Sequence, residues 1–185
     1  MDASVRKVRV PDFAAMKVRG ERITMLTAYD YTMARLIDEG GVDSILVGDS
    51  VGNVQLGYPT TLPVTMEDMI HHTRAVSRGV KRALVVADMP FLSFQVDRLE
   101  AVKNAGRLLS EGGADAVKLE GGKRILEAVE HMVDIGIPVV GHLGLTPQSV
   151  HQFGGFRVQA KTPEAVERLV AEALALEKAG VFSIV

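Results

Sequence analysis

The sequence predicts an α/β fold built on a parallel sheet, in the form of a (β/α)8 TIM barrel truncated in strand six. Apolar runs with strand character alternate along the chain with amphipathic helical segments, which is the pattern of repeated β–α units. Five runs end on an ionisable side chain, at Asp30, Asp49, Asp88, Glu120 and His142. Because the carboxyl ends of parallel strands meet on one rim, we expect these side chains to surround one site.

An open, doubly wound sheet is the competing fold, and chain length alone does not decide between the two. Such a sheet fits 185 residues, whereas a (β/α)8 barrel typically needs about 250. The sixth apolar run, Val181–Val185, breaks off without a turn or a cap. We therefore favour a single barrel domain over residues 1–185, with an N-terminal helix, about six of eight strands and the C-terminal part absent.

Composition excludes several classes of function. The formal net charge of −2 gives no basic excess that would attract nucleic acid or an anionic membrane. The chain has no cysteine, which excludes disulfides, thiolate metal sites and a cysteine nucleophile. There is no signal-peptide pattern and no apolar stretch near the roughly 18 residues of a membrane span. We expect a soluble, cytoplasmic protein that binds neither nucleic acid nor membrane.

The first predicted elements are a leading helix, a strand and a short second helix. Within the charge-rich segment 1–21, Pro11 and Gly20 bracket an amphipathic stretch, which predicts a helix ahead of the first strand. The first strand leads to Asp30, which we expect to cap a helix from about Tyr31 to Glu39.

Four further helices carry start and stop signals. Thr65 and Asp97 each have an acidic residue three positions on, as in a capping box, and Thr162 precedes Pro163 at a first helical position. Glycines follow the helices and are expected to end them. The apolar stripes expected to be buried are Met69, Ile70, Thr73 and Val76; Leu99, Val102 and Leu109; Ile125, Leu126, Val129, Met132 and Val133; Val166, Leu169, Val170, Ala173 and Leu176.

Two long insertions leave the predicted sheet at the rim where the strand tips meet. Residues 50–64 and 143–161 follow the second and fifth strands and are rich in Gly, Pro, Thr and Gln. Rim loops of this kind usually carry substrate contacts and lids.

Lys118 and Glu120 give the sharpest local indication of a site. They are two residues apart in a strand and so share one face, while Val117 and Leu119 share the other. If the apolar face meets the helices, the charged face points into the barrel, where an unpaired charge costs several kcal/mol. The two side chains must then be paired or bind a ligand, and this pair alone favours a structural ion pair and a functional site equally.

Asp49 and Asp88 are also candidates, because helix capping explains them poorly. Asp49 leads into Ser50–Gly52, which is predicted to be a loop, and Asp88 precedes Met89-Pro90. Carboxylates at strand tips, with no thiolate and few imidazoles nearby, form a hard-oxygen set suited to Mg²⁺ and not to zinc or copper. His142 could either support such a site as a hydrogen-bond donor or act as a catalytic acid–base.

Other motifs are explained without a ligand. His71 and His72 have neither a second His at i+4 nor a Glu between them, so a solvated helix face is favoured over a zinc site. The paired glycines match no dinucleotide or P-loop pattern, and no G-x-S-x-G occurs, so nucleotide binding and serine hydrolysis are not supported.

Six segments, in order along the chain, resemble the ketopantoate hydroxymethyltransferase (3-methyl-2-oxobutanoate hydroxymethyltransferase) family. The resemblance runs from about Ile23 to Val185, and its ten-residue segment is highly specific. The segments are Leu26–Asp30 (LTAYD), Val47–Ser50 (VGDS), Ala87–Phe91 (ADMPF), Val117–Gly122 (VKLEGG), Gly141–Val150 (GHLGLTPQSV) and Phe153–Gln159 (FGGFRVQ).

The resemblance implies a barrel of the phosphoenolpyruvate mutase-like kind, a Mg²⁺ site and an enzyme of pantothenate (coenzyme A) biosynthesis. In that family a hydroxymethyl group passes from the co-substrate 5,10-methylenetetrahydrofolate to 3-methyl-2-oxobutanoate, giving 2-dehydropantoate. The family's metal ligands fall on Asp49, Asp88 and Glu120, and its substrate contacts fall on Asp49, Ser50, Asp88 and Lys118. A homo-oligomer, commonly a decamer, is also implied.

The catalytic base is the point at which the chain departs from the family. The family uses a Glu at the tip of strand six, which aligns just beyond Val185, so no catalytic base is expected within the chain. Strands seven and eight would also be missing, which would leave strand edges exposed. We therefore expect the 185-residue chain alone to be inactive. The alternatives are a protein that binds Mg²⁺ and a 2-oxo acid without turnover, and a lyase of the same superfamily.

Overall fold

Six parallel strands form one sheet in the computed structural model, which describes residues 6–185. Each strand pairs in parallel with the next one along the chain, so their spatial order is their sequence order. A doubly wound sheet would reverse this order at a switch point, whereas a (β/α) barrel keeps it. The strands are β1 (Met25–Thr27), β2 (Ser44–Val47), β3 (Leu84–Asp88), β4 (Ala116–Glu120), β5 (Val139–His142) and β6 (Ser183–Ile184).

Helices precede β1 and connect the strands. In residues 6–185 no helix is both long enough and apolar enough to cross a membrane. Segments that connect strands at the rim contain two one-turn helices, α3 (Val51–Val54) and α7 (Val150–Phe153), and two 3₁₀ turns, Lys123–Ile125 and Pro147–Ser149. The helices are α1 (Val10–Arg19), α2 (Tyr31–Glu39), α3 (Val51–Val54), α4 (Met66–Gly79), α5 (Arg98–Ser110), α6 (Leu126–Asp134), α7 (Val150–Phe153) and α8 (Pro163–Lys178).

The two faces of the sheet pack into different cores. Val117 and Leu119 point outward into the larger core, which the helices cover. The inner core gathers apolar side chains from Met25 on β1 across to Phe182 beside β6, and the sheet must curl around them to bring them together. Phe13 of α1 packs edge-to-face on Phe182 with 5.3 Å between ring centroids. The leading helix thus covers one end of the inner core.

The predicted helix starts are confirmed. The side chains of Asp30 and Thr162 each accept a hydrogen bond from the backbone N–H three residues on. Thr65 and Asp68 form a reciprocal capping box. Asp97 accepts bonds from two backbone N–H groups of the first turn of α5 but is a simple cap, because no reciprocal bond accompanies it in the described structure.

Two predicted buried helix faces are confirmed only in part, because Val102 and Leu109 of α5 pack against the larger core whereas other predicted members are exposed. Leu99 of α5 is 61% exposed, and Val166 and Val170 of α8 are 45% and 52% exposed, whereas Leu176 is fully buried. Both helices carry apolar side chains around much of their circumference, so a 3.6-residue period does not show which of two adjacent faces is buried. The face of α5 that is buried carries smaller side chains and one amide, namely Ala101, Asn104, Ala105 and Leu108.

Asp38 near the end of α2 ties that helix to the turn that precedes β3. Its buried carboxylate accepts from the backbone N–H groups of Lys81, Arg82 and Ala83, at 2.8, 3.1 and 2.7 Å. We expect Asp38→Ala to lower the free energy of unfolding by about 1–3 kcal/mol, since it leaves a buried amide unpaired. Urea denaturation would measure this. Asp134→Ala, an exposed aspartate at the end of α6, should change stability by less than about 0.5 kcal/mol.

Asp43 supplies a pH-dependent part of the stability. Burial raises its pKa, but hydrogen bonds from the backbone and hydroxyl of Thr24, together with Arg82, more than offset this and hold the pKa below its ordinary value. A depressed carboxyl pKa stabilises the folded state above the ordinary value of about 4 and loses this effect as the pH falls through the folded pKa. The stability difference between wild type and Asp43→Asn, from urea denaturation, should therefore be largest above about pH 4 and shrink below it. A difference that grows on acidification would contradict this.

Candidate active site

Charged side chains gather where β2, β3, β4 and β5 end, on the inward face of the sheet. We call Asp49, Asp88, Lys118, Glu120 and His142 the strand-tip cluster. The register pairs Asp88 with Lys118 and Glu120 with His142 across neighbouring strands. Because side chains alternate along a strand, the cluster continues the inner face above the apolar inner core, as the sequence predicted for Lys118 and Glu120.

Asp88 and Lys118 form an ion pair that is almost completely buried. Each residue is 4% exposed, and the Lys118 Nζ lies 2.9 Å from Asp88 Oδ1. This contact lacks hydrogen-bond geometry, so Oδ1 has no hydrogen-bond partner within the described residues. Asp88 Oδ2 accepts from the backbone N–H of Asp49 at 3.0 Å. Asp88 therefore links β3 to the end of β2 through Oδ2, while Oδ1 contacts the Lys118 ammonium.

His142 lies between Glu120 and Lys118 on the inner face. Its Nδ1 is 3.1 Å from Glu120 Oε1 and 3.3 Å from the Lys118 Nζ. Nδ1 can donate to the carboxylate only when it carries a proton, and can accept from the ammonium only when it does not. The two contacts are therefore mutually exclusive hydrogen bonds, and His142 supports one partner at a time.

Asp49 and Ser50 occupy the turn between β2 and α3. The sequence predicted a loop here, but a single helical turn follows, with Ser50 preceding it. Ser50 Oγ shares a 2.8 Å hydrogen bond with the hydroxyl of Tyr29, the residue before Asp30. A Cβ on Gly48 would lie 2.7 Å from Ser50 Oγ. Glycine at that position therefore leaves space for the hydroxyl.

Burial and neighbouring charges shift the pKa values of two members of the cluster, Asp49 and Lys118. Burial and the neighbouring carboxylates of Asp88 and Glu120 raise the pKa of Asp49 to about 7, although a hydrogen bond from Gln148 opposes this. Burial lowers the pKa of Lys118, but Asp88, Glu120 and Asp49 outweigh it and raise the pKa above its ordinary value. Lys118 is therefore cationic, and the surrounding carboxylates outnumber it.

Gln148 is a buried member of this site that the sequence analysis did not single out. It lies in the 3₁₀ turn Pro147–Ser149, and its side-chain Nε2 donates to Asp49 Oδ2 at 2.8 Å. Its backbone N–H donates to Glu120 Oε2 at 3.0 Å. Gln148 belongs to the ten-residue segment that carried the family resemblance, but no strand or helix periodicity indicates which of those residues points inward.

The solvated helix face predicted for both histidines of α4 is confirmed for His71 but not for His72. His71 is exposed, as predicted for a solvated helix face. His72 is half-buried, and its Nδ1 lies 2.7 Å from the backbone oxygen of Tyr29. Since a carbonyl only accepts, Nδ1 carries the proton. His72 thus fixes the backbone of Tyr29, the residue whose hydroxyl bonds to Ser50.

A metal ion is compatible with the donor chemistry of the cluster. Within residues 6–185, no group of three or more His, Asp or Glu side chains is arranged to hold an ion. The carboxylates of Asp88, Glu120 and Asp49 each contact a neighbouring side chain. The available donors are carboxylate oxygens, which suit Mg²⁺. Burial and the repulsion between neighbouring carboxylates, which together raise the pKa of Asp49, both fit the binding of a hard cation.

A pocket of about 760 Å³ opens beside the cluster. Glu120 and Gln148 form its inner end, Phe91 contributes an apolar wall, and Arg124 and Arg168 line it with positive charge. Segment 143–161 supplies much of the lining, as predicted for a rim loop.

The fold of the chain matches that of known structures. It is similar to phosphonopyruvate hydrolase in complex with oxalate and Mg²⁺ (TM-score 0.70, 13% identity, 95% of this chain and 62% of that chain). It is equally similar to phosphoenolpyruvate phosphomutase from Streptomyces platensis subsp. rosaceus (TM-score 0.69, 14% identity, 95% and 63%). The described residues therefore have the fold of an incomplete (β/α) barrel like that of phosphoenolpyruvate phosphomutase, as predicted.

The chain belongs to the ketopantoate hydroxymethyltransferase family, whose sequence profile matches residues 7–185. It is 62% identical over 180 residues to the 3-methyl-2-oxobutanoate hydroxymethyltransferase of Syntrophus aciditrophicus (strain SB), covering 97% of this chain and 66% of that protein. The Moorella thermoacetica (strain ATCC 39073 / JCM 9320) relative is 60% identical over 179 residues, with 97% and 66% covered. The chain thus spans slightly less than two thirds of the length of these curated relatives.

Proposed function

We propose that the intact protein is a 3-methyl-2-oxobutanoate hydroxymethyltransferase of pantothenate biosynthesis. The hydroxymethyl group would come from 5,10-methylenetetrahydrofolate and water, and the products would be 2-dehydropantoate and tetrahydrofolate. The observation that carries the proposal is the buried strand-tip cluster, in which three carboxylates and one lysine converge in a chain of this family.

The three carboxylates are proposed to hold Mg²⁺. Asp49, Asp88 and Glu120 are each at most 9% exposed, so one lysine leaves excess negative charge away from water. Such a charge is costly unless it is compensated. When bound, the ion would polarise the ketone of a 2-oxo acid and stabilise charge that develops on its oxygen.

Lys118 is proposed to bind the carboxylate of the oxo acid. It is a permanent cation at the inner face, next to Asp88, and its ammonium has three donor positions. Asp49, Ser50 and Asp88 would contact the same substrate from β2 and β3. Ser50 is held in place for this by the Tyr29 hydroxyl.

Removal of the C3 proton of 3-methyl-2-oxobutanoate needs a base near that carbon. His142 is engaged with Glu120 and Lys118, so we assign it to the support of these two groups. By the family resemblance, we propose a Glu at the tip of strand six as this base. The pocket next to Glu120 and Gln148 is proposed to hold the folate co-substrate, whose size exceeds that of the oxo acid.

Mass spectrometry of the intact protein with both substrates and Mg²⁺ tests the proposal. We expect 3-methyl-2-oxobutanoate to gain one CH₂O unit, which depends on the folate and is lost in Asp88→Asn. Asp134→Ala, which alters an exposed aspartate far from the cluster, should retain the activity. Binding of Mg²⁺ and the oxo acid without product would instead support a non-catalytic paralogue, and carbon–carbon cleavage of an oxo acid would support a lyase.

Assembly and compartment are further predictions of the family resemblance. We propose a homo-oligomer, commonly a decamer in this family, that acts in the cytoplasm on small molecules. Light scattering coupled to size-exclusion chromatography of the intact protein would measure the number of subunits, and a monomer would contradict the prediction.

A further inference from the structure

Gln148 contacts two of the three carboxylates of the cluster through two different groups. Its side-chain Nε2 donates to Asp49 Oδ2 at 2.8 Å, and its backbone N–H donates to Glu120 Oε2 at 3.0 Å. The residue is 7% exposed. One residue from the rim thus connects the end of β2 with the end of β4.

The orientation of the Gln148 amide is determined by its neighbours. Its Nε2 also donates to the backbone oxygen of Met89 at 2.9 Å. A carboxylate and a carbonyl both accept, so only the NH₂ group can face Asp49 and Met89. The amide oxygen then points to Gln95, whose Nε2 donates to it at 2.8 Å. The Gln148 side chain therefore uses both of its N–H donors and one acceptor position.

We propose that Gln148 is a positioning residue for the cation site of the strand-tip cluster. By holding Asp49 Oδ2 and Glu120 Oε2, it fixes the orientation of both carboxylates. Asp49 then presents Oδ1 to a divalent cation, and Glu120 presents Oε1, the oxygen that His142 Nδ1 also contacts at 3.1 Å. An amide does this without adding a charge that would either repel or replace the cation. This inference rests on the proposed Mg²⁺ site. Hydrogen-bonded partners of metal ligands typically contribute 10–100-fold to metal affinity or activity.

The same contacts link the cation site to two rim segments. Gln148 lies in segment 143–161, and Gln95 lies between β3 and α5. Their amide–amide hydrogen bond joins these segments over the carboxylates. Gln95 therefore helps to hold the Gln148 side chain against the carboxylates. Within residues 6–185, Gln95 itself makes no hydrogen bond to any of these carboxylates.

Titration of the intact protein with Mg²⁺ in a calorimeter tests the proposal. Gln148→Met keeps the length and unbranched shape of the side chain but removes both donors. We expect its Mg²⁺ affinity to fall by about 10–100-fold, with turnover recovering toward the wild-type rate at saturating Mg²⁺. Gln55→Met, the same substitution at an exposed glutamine, is the matched control and should bind Mg²⁺ like the wild type.

Each outcome separates a positioning role from a packing role. Lower thermal stability with unchanged Mg²⁺ affinity in folded Gln148→Met would overturn the inference and leave the proposed function standing. Failure of the wild type to bind Mg²⁺ would overturn the proposed metal site and the inference with it. Should Gln148→Met not fold, Gln95→Met decides: a weaker effect on affinity in the same direction supports the positioning role, and wild-type affinity overturns it.

Discussion

Lys118→Ala is expected to weaken binding of 3-methyl-2-oxobutanoate far more than binding of Mg²⁺. The variant removes the cation proposed to meet the substrate carboxylate, and truncating one partner of a buried charge pair costs about 2–5 kcal/mol, or roughly 30-fold to several thousandfold in Kd. Mg²⁺ loses a competing cation 2.9 Å from Asp88 Oδ1, so its affinity should stay the same or rise.

Calorimetric titration of the intact protein with each ligand measures the two effects separately. Lys123→Ala, an exposed lysine in the 3₁₀ turn after β4, is the matched control and should bind both ligands as the wild type does. A parallel loss of both affinities would show that Lys118 only maintains the fold of the cluster. Unchanged oxo-acid affinity would remove Lys118 from the substrate site.

Asp88→Asn is expected to lower Mg²⁺ affinity by more than the 10–100-fold typical of groups that merely support a metal ligand. Asparagine keeps the shape of the side chain and an oxygen that can accept from the Asp49 N–H, so the change removes mainly charge. The affinity falls because Asp88 is the carboxylate at the centre of the cluster, in contact with both the end of β2 and Lys118.

Electron paramagnetic resonance of free Mn²⁺, used as a spectroscopic substitute for Mg²⁺, gives the affinity directly. Asp134→Asn makes the same substitution at an exposed site and should leave the affinity at the wild-type value. Wild-type affinity in Asp88→Asn would exclude Asp88 as a ligand, whatever its effect on turnover.

Strand alternation was sufficient to predict the sheet and its inward charges. Asp88, Lys118 and Glu120 lie at positions that a two-residue period assigns to one face, and the structure places them there. The alternation of strand and helix signals predicted a parallel sheet but fitted a doubly wound order as well, so the sequential strand order is a finding of the structure. Periodicity did less for α5 and α8, because Leu99 and Val166 lie on apolar faces adjacent to the buried one.

Which side chains of the cluster contact one another depends on the strand register and on the path of irregular backbone segments. The pairing of Lys118 with Asp88, and not with Glu120, follows from how β3 and β4 align, which no local pattern encodes. Gln148 lies in a rim segment whose path is set by turns and hydrogen bonds instead of a repeat. Its position could be found only once Asp49 and Glu120 were placed in space.

The dependence of oxo-acid binding on Mg²⁺ tests the central claim most directly. Calorimetric titration of the intact wild-type protein with 3-methyl-2-oxobutanoate should be run with Mg²⁺ and again with a chelator. If the strand-tip cluster is a metal-dependent oxo-acid site, binding is strong with Mg²⁺ and falls below detection without it. Equal affinity in the two titrations would contradict the claim and leave the buried Asp88–Lys118 pair as a structural feature of the barrel.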